Sequence, residues 1–341
     1  MEKPIVSILI PNFNHSVYLE QCIESALSQT YENCEIIVLD NSSGDSSVER
    51  ALKFTKQGVK VCRNQFNILN ISYRILTEQL SHGKYFILLC ADDYIYPTFI
   101  EKAVELMEKN PQVGYVHGER VFVTESGEHI KQESFYHCSF IAPGRNTMPV
   151  YMLTTVAHPS QGVVRMEAFR KIEGYDKEID HMNADRTLWY YLSYDYNAAY
   201  LREVLCAIRI GSQTETFATL KNFQHPILSH LTIKDFVKFA REKNLPKVYL
   251  REDEALERLA HEFLGYAKRF LWSAEYELAD QYLSYARILH RGIDQEAEYE
   301  DLKQMALQKD SGLASIIDMY EGLRNKRRNY NPPEGYIEIG V

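Results

Sequence analysis

Apolar residues in the first 120 positions fall in short runs separated by stretches of helical spacing. Ile5-Val6-Ser7-Ile8-Leu9-Ile10 reads as a buried strand stopped by Pro11, and Glu35-Ile36-Ile37-Val38-Leu39 as a second strand ending at Asp40. Gly58 to Cys62 reads as a third strand. Tyr85-Phe86-Ile87-Leu88-Leu89-Cys90 reads as a fourth, ending at Ala91-Asp92-Asp93. Between them, residues 16–29 place Val17, Cys22, Ile23, Ala26 and Leu27 on one helical face, and helices are predicted near 46–56 and over 70–81. Strands and helices alternating at this spacing predict an α/β domain with a parallel sheet and crossover helices. Ligands of such sheets bind beyond the carboxyl ends of the strands. At those ends the chain carries Asn12 to Asn14, Asp40, and Asp92-Asp93.

Residues 113–210 are mixed. Val113 to His117, Val121 to Thr124, Gly162 to Arg165 and Tyr200 to Arg209 carry strand signals, and Asp185 to Tyr194 reads as a helix with an acid in its first turn. From about 230 the pattern is helical throughout. Leu256, Leu259, Ala260, Phe263, Leu264, Ala267, Phe270 and Leu271 recur at i, i+3, i+4, and Ala274 to Leu289 repeats the pattern after a short break. Further helices are predicted to about 325. The expected organisation is an α/β domain over 1–225, an all-helical region over 226–330 built from tetratricopeptide-like hairpins, and a tail over 331–341 of linker composition (Asn331-Pro332-Pro333-Glu334-Gly335).

Composition narrows the classes. At 45% hydrophobic and 25% charged, the 341-residue chain has the balance of a folded protein. A net charge of −9 is opposite to the footprint of a nucleic-acid binder. The six cysteines form no CxxC pair and several sit in apolar runs, the pattern of buried reduced thiols. The N-terminal apolar stretch is too short for a signal peptide, and no window approaches the roughly 20 apolar residues of a membrane helix. A cytoplasmic protein is expected, with Arg324, Lys326, Arg327 and Arg328 offering either a contact with anionic lipid at the inner face of a membrane or a solvated helix end. The 24 tyrosines suit sugar faces and protein cores alike.

The polar clusters limit the chemistry. The first glycine of the chain is Gly44, so the turn Pro11-Asn12-Phe13-Asn14-His15 cannot be the glycine loop of a dinucleotide-binding oxidoreductase. No GxxxxGK[ST] run exists, and His261-Glu262 lacks the second histidine of a zinc protease because position 265 is Gly. A phosphate-bearing ligand held without a glycine loop or basic clamp points to a divalent cation, Mg²⁺ or Mn²⁺, seated at Asp92-Asp93. The same pair also reads as the cap of a helix over 97–109, and Asp40 as a turn cap.

The segments 4–14, 19–31 and 35–45, with Gly83-Lys84-Tyr85-Phe86-Ile87-Leu88-Leu89-Cys90-Ala91-Asp92-Asp93 and Pro97, resemble family 2 glycosyltransferases of the GT-A (Rossmann-like) nucleotide-diphospho-sugar transferase fold. The resemblance is dense over 4–110 and thin to about 215. It implies an inverting transfer of a sugar from a nucleotide-sugar donor, expected to be UDP-linked, to a hydroxyl of a glycan, a lipid-linked glycan or a protein. It implies that Pro11, Asn12, Phe13, Asn14 and Asp40 hold the nucleotide base. Asn67 and Arg74 would lie near base or phosphate, Asp92 would face ribose or metal, and Asp93 would coordinate the metal. Asp185 matches the family's catalytic base, and also reads as a plain helix N-cap.

The chain departs from the family pattern at Cys90, where an acid is common, at Ala184 before the base, and at Ile210, where a His often follows the late-strand Arg. Leu69 and Ile75 stand where Gly and Asn are common. His158-Pro159-Ser160-Gln161-Gly162 falls where the family approaches its acceptor, and reads equally as a plain loop. Trp189 reads as core or as a sugar platform. The rival readings are a nucleotide-sugar-binding protein of weakened activity, and a nucleotidyltransferase, whose glycine-rich basic loop is absent.

Overall fold

The computed structural model describes residues 3–68, 75–130, 133–172, 184–211, 215–309 and 330–340. The chain divides into two compact units, one of residues 1–151, 155–211 and 329–341, the other of residues 152–154 and 212–328.

The first unit is built on one sheet. Its strands are β1 (Val6–Asn12), β2 (Cys34–Asp40), β3 (Lys60–Arg63), β4 (Tyr85–Leu88), β5 (Tyr94–Ile95), β6 (Val113–Val123), β7 (His129–Ile130), β8 (Phe140–Ala142), β9 (Gly162–Arg165), β10 (Asn197–Arg209) and β11 (Ile337–Glu338). The order across the sheet is β11-β8-β10-β6-β9-β4-β1-β2-β3, with β5 on β10 and β7 on β6. β4, β1, β2 and β3 are parallel, as the strand–helix alternation predicts. β6 and β10 form a second parallel pair, joined to the first group through the antiparallel β9. Crossing β9 twice restores the direction, so β4, β1, β2, β6 and β10 all end on the same edge, where β9 begins.

Burial explains the central strands. Val6, Ile8 and Ile10 of β1 face a core shared with Leu19, Cys22, Ile23 and Ala26 of the helix Ser16–Leu27, while Ser7 and Leu9 on the other face are buried too. A strand covered on both faces reads as the near-continuous apolar run seen in the sequence. Several tyrosines of this unit are buried in the core with their hydroxyls bonded. Tyr115 shares its hydroxyl with Tyr151 and Ser193, Tyr31 donates to the Pro4 carbonyl, and Tyr85 to Glu108.

Several expectations are corrected. The strand signals at 113–117 and 121–124 belong to one long strand, β6. Of the helix expected over 70–81, residues 70–74 lie outside the described residues, and Ile75–Leu80 winds as a π-helical turn. The expected domain boundary at 225 falls inside the helix Gln224–Glu242. The tail is not a linker, because Ile337 and Glu338 pair antiparallel with Ile141 and Phe140 at the sheet margin.

In the second unit, the helices Glu215–Lys221, Gln224–Glu242, Pro246–Tyr249, Glu252–Trp272, Tyr276–Leu289 and Ala297–Gln308 follow in sequence. The two patterned stretches form a hairpin that turns at Ala274 with φ 58°, closed by Glu275 N–H donating to Phe270 O at 2.7 Å. Tyr282 is fully buried in its core, ringed by Phe223, Phe263, Tyr266 and Phe270, and donates to the Leu220 carbonyl. The helices expected toward 325 and the basic residues Arg324 to Arg328 lie outside the described residues. Among the described residues, no helix is long and apolar enough to cross a membrane.

Gly144 opens the helix Gly144–Tyr151 against the end of the helix Ala184–Asp195. A Cβ there would meet Tyr196 O at 1.9 Å and Ser193 O at 2.3 Å. Backbone cannot yield as a flexible side chain does, so Gly144→Ala is expected to destabilise the chain by about 1–3 kcal/mol or more. Urea unfolding of the variant beside wild type measures it; equal midpoints would contradict this packing.

Candidate functional site

The parallel register of β1 and β2 sets Asn12 directly opposite Asp40. Asn12 Nδ2 donates to Asp40 Oδ1 at 2.9 Å and to Ser43 Oγ at 3.2 Å. Asp40 Oδ2 accepts the Ser43 N–H at 3.0 Å and lies 3.5 Å from Arg63 Nε. Asn12 Oδ1 is buried with no hydrogen-bond partner among the described residues. A buried acceptor left open costs stability unless a ligand completes it. The turn after β1 is locked to the turn after β2. Asn14, at φ 57°, accepts the Gly44 N–H on its side chain and gives its own N–H to Ser43 Oγ. Asparagine tolerates this left-handed backbone better than most residues. Asn41 donates to Asn67 Oδ1 at 2.7 Å and accepts from Asn64 Nδ2, which brings Asn67 to the same edge. Phe13 leaves its ring exposed there. Arg74 lies outside the described residues.

The turn after β4 is a second centre. Asp93 is 2% exposed, and both its oxygens are engaged. Oδ1 accepts the Arg209 N–H from the end of β10 at 2.8 Å, and Oδ2 accepts the Ser160 hydroxyl at 2.6 Å. Ser160 Oγ in turn accepts the Cys90 N–H at 3.0 Å. The Arg209 guanidinium donates to Asp92 O, Thr124 O and Gln21 Oε1 and lies 4.1 Å from the Tyr18 ring centre, so it braces the turn. Burial and the adjacent Asp92 charge push the Asp93 carboxyl well above the usual carboxylate range, against the pull of Ser160 and Arg209. Asp92 is half-buried at the same turn.

A thiol of Cys90, an Asp93 oxygen and a His158 ring nitrogen lie within 4.8 Å of one another. This is the group in the described residues that could hold a metal, and it joins Asp93 to Cys90 and His158; Asp92 is not part of it. The donor set fits a divalent cation, though not the all-carboxylate seat expected from the Asp pair. Burial and the Arg120 charge hold the His158 imidazole down at about 3, so it is neutral. In the sequence Cys90 reads as a departure from the family's acid, and the His-Pro-Ser-Gln segment as an acceptor-side or plain loop; neither reads as a metal ligand. Their spacing of some 70 residues leaves no local signal.

Asp185 stands in the first turn of Ala184–Asp195, its Oδ1 accepting the Arg186 N–H at 2.7 Å. Arg186 points inward and donates to the Tyr151 carbonyl. Burial raises the Asp185 carboxyl to about 6, opposed by the Arg186 N–H and guanidinium and by Arg120. Arg120 acts on both Asp185 and His158, so the two lie in one electrostatic field. Trp189, one turn on, is 1% exposed and donates to the Ala157 carbonyl, which makes it core.

Residues 7–173 match the profile of Glycosyl transferase family 2. An uncharacterized glycosyltransferase of Haemophilus influenzae is 36% identical over 113 residues, 32% of this chain and 35% of that protein. The matched stretch thus spans about a third of that relative's length. S. aureus TarS 1-349, solved in complex with UDP-GlcNAc, aligns with a TM-score of 0.56 at 15% identity, over 89% of this chain and 91% of that one. The mannosyltransferase PcManGT from Pyrobaculum calidifontis, in complex with GDP-Man and Mn²⁺, aligns with a TM-score of 0.51 at 15% identity, over 96% of this chain and 89% of that one. At these identities the two structures speak for the fold, a GT-A-type sheet.

A raised carboxyl has a stability consequence. The folded chain holds the Asp185 proton more tightly than the unfolded chain does, so the cost of ionising it is absent below about pH 4. It grows between about pH 4 and 6 and is constant above that. Asp185→Asn is therefore expected to stabilise the protein by on the order of 1–3 kcal/mol at about pH 7.5 and by much less at about pH 4.5. Denaturant curves at the two pH values check it; a pH-independent difference would contradict the raised carboxyl.

Proposed function

We propose that the chain, whose residues 7–173 match glycosyl transferase family 2, is an inverting transferase of that family that moves a sugar from a UDP-sugar to a hydroxyl of a glycan, lipid-linked glycan or protein. The observation that carries this reading is the common edge on which β1, β2 and β4 end, with Asn12 and Asp40 on one side of it and the Asp92-Asp93 turn on the other. Asn12 Oδ1 and the Asp40 carboxylate offer acceptors to a base N–H, the hydrogen-bonding partner a uracil ring supplies. Phe13 offers a ring face beside them, and Asn67, with Arg74, would flank base or phosphate. The UDP-GlcNAc complex of the TarS relative supports the choice of uridine.

Asp185 would act as general base. The acceptor O–H gives its proton to the Asp185 carboxylate while its oxygen forms a bond to the anomeric carbon. The bond from that carbon to the diphosphate oxygen breaks, and its electron pair leaves with the nucleoside diphosphate. A carboxyl poised near 6 is ionised at neutral pH yet basic enough to take a proton, the compromise a general base needs. When bound at Asp93, beside Asp92, a divalent cation supplies neutralisation of the charge on the leaving diphosphate. Arg209 and Ser160 hold the Asp93 turn in place meanwhile.

Calorimetric titration with UDP, GDP and dTDP, with and without Mn²⁺, is expected to give binding strongest for UDP. Hydrolysis or transfer from UDP-sugars is expected to fall by about 100-fold or more in Asp185→Asn with UDP affinity retained. In wild type the rate should drop as pH falls through about 6, where the base is protonated. No binding of any of the three nucleotides at millimolar concentration would overturn the reading, as would an unaltered rate in the variant.

A further inference from the structure

The donor atoms at the Asp93 turn differ in kind from those a hard cation selects. Mg²⁺ and Mn²⁺ favour carboxylate, carbonyl and water oxygens, whereas a thiolate and an imidazole favour zinc and its neighbours. Cys90 and Asp93 sit three residues apart on one turn, and His158 comes to them from the segment preceding β9. Resting on the donor-and-cation reading above, we propose that the cation of this site is a borderline transition metal of the zinc class. Its protein ligands are Cys90 Sγ, an Asp93 carboxylate oxygen and a His158 ring nitrogen, leaving a fourth position open.

The geometry is close to what such an ion needs. Bond lengths of about 2.0–2.3 Å in a tetrahedral site set neighbouring ligand atoms roughly 3.3–3.8 Å apart. His158 Nδ1 is 3.3 Å from Asp93 Oδ2, and all three ligand atoms lie within 4.8 Å, so closing on an ion asks for shifts of no more than about 1 Å. His158 Nδ1 is a buried atom that makes no hydrogen bond despite this approach, an open donor position aimed at the cluster. Three protein ligands with one position open is the pattern of zinc sites that bind substrate.

The surroundings hold these ligands before any ion arrives. Asp93 is oriented by Arg209 N–H and the Ser160 hydroxyl, and Cys90 by its N–H on Ser160 Oγ. The His158 N–H donates to Gln161 Oε1 at 2.9 Å, and Gln161 is itself fixed by Arg120 and by the Gly118 carbonyl. Partners of this type raise metal affinity by keeping ligands in the binding geometry. A carboxylate in place of Cys90 would leave the His158 nitrogen as the one non-oxygen protein ligand, a set manganese accepts more readily than one with a thiolate, so position 90 biases the metal class.

Zinc-class ions outbind manganese at most nitrogen, oxygen and sulfur sites, so an affinity ranking alone cannot decide the matter. The thiolate can. The full chain, stripped with chelator, is titrated with Co²⁺ while its absorption is followed. A near-ultraviolet thiolate-to-cobalt band with intense tetrahedral visible bands is expected, abolished by Zn²⁺ and absent in Cys90→Ser. His158→Gln should weaken Zn²⁺ binding by roughly tenfold or more. Cys90→Asp should move the Zn²⁺-to-Mn²⁺ affinity ratio toward manganese by roughly tenfold. Should that variant fail to fold, the wild-type cobalt spectrum decides on its own. Cobalt bound without a thiolate band, or not bound, overturns the proposal. UDP titrated into the same samples separates the two readings: UDP binding without the band leaves the donor reading standing, and loss of both removes the two together.

Discussion

A carboxylate removed from water must be given hydrogen bonds, and Asp93 is nearly fully buried. That requirement gathers three parts of the sheet at one point. The end of β10 sends the Arg209 N–H, the segment before β9 sends the Ser160 hydroxyl, and the β4 turn carries the carboxylate itself. Each partner is held in turn, Arg209 by three acceptors and a tyrosine face, Ser160 by the Cys90 N–H. The result is a rigid floor beyond the strand ends. Any ligand approaching there meets atoms whose positions were settled by the cost of burying one charge.

The nucleotide side of the edge follows the same logic with neutral amides. Asn12 and Asn14 both donate to Ser43 Oγ, and Asn41 bonds to Asn64 and Asn67, so the turns after β1, β2 and β3 are tied together. Parallel pairing of β1 with β2 makes this possible, because it sets the ends of two strands side by side. Networks of this kind are worth having only when nearly complete. Asn12 Oδ1, a buried acceptor of this network with no partner among the described residues, is therefore where a ligand gains most.

Much of this was readable along the chain. The apolar runs of β1, β2, β4 and β9, the helical spacing over 16–29, 256–271 and 274–289, and the acids at strand ends were all legible as local pattern. So was the family resemblance, since its motifs are contiguous. Misreadings came where local pattern and tertiary role part. Within β6, Gly118, Glu119 and Arg120 are small or charged residues that look like a break between two strands. The neighbouring β10 and β9 nevertheless hold the strand continuous. Ile337 and Glu338 sit in linker-like composition and become a strand only because β8 offers an edge. The tyrosines offered two readings, and burial with bonded hydroxyls resolves many of them as core, among them Tyr31, Tyr85, Tyr115 and Tyr282.

By itself, then, the sequence determined the α/β class, the parallel order of the first strands, the helical second unit and the list of acids at strand ends, because each depends on neighbours within a few residues. Only the tertiary structure decided what those acids touch. Asp93 faces Cys90, His158 and Ser160 instead of standing as one of an open pair with Asp92, and Asp185 gains its raised carboxyl from burial that no local pattern encodes. These contacts join positions some 70 to 115 residues apart, and their distances are set by sheet order and register, which appear only when the strands have paired.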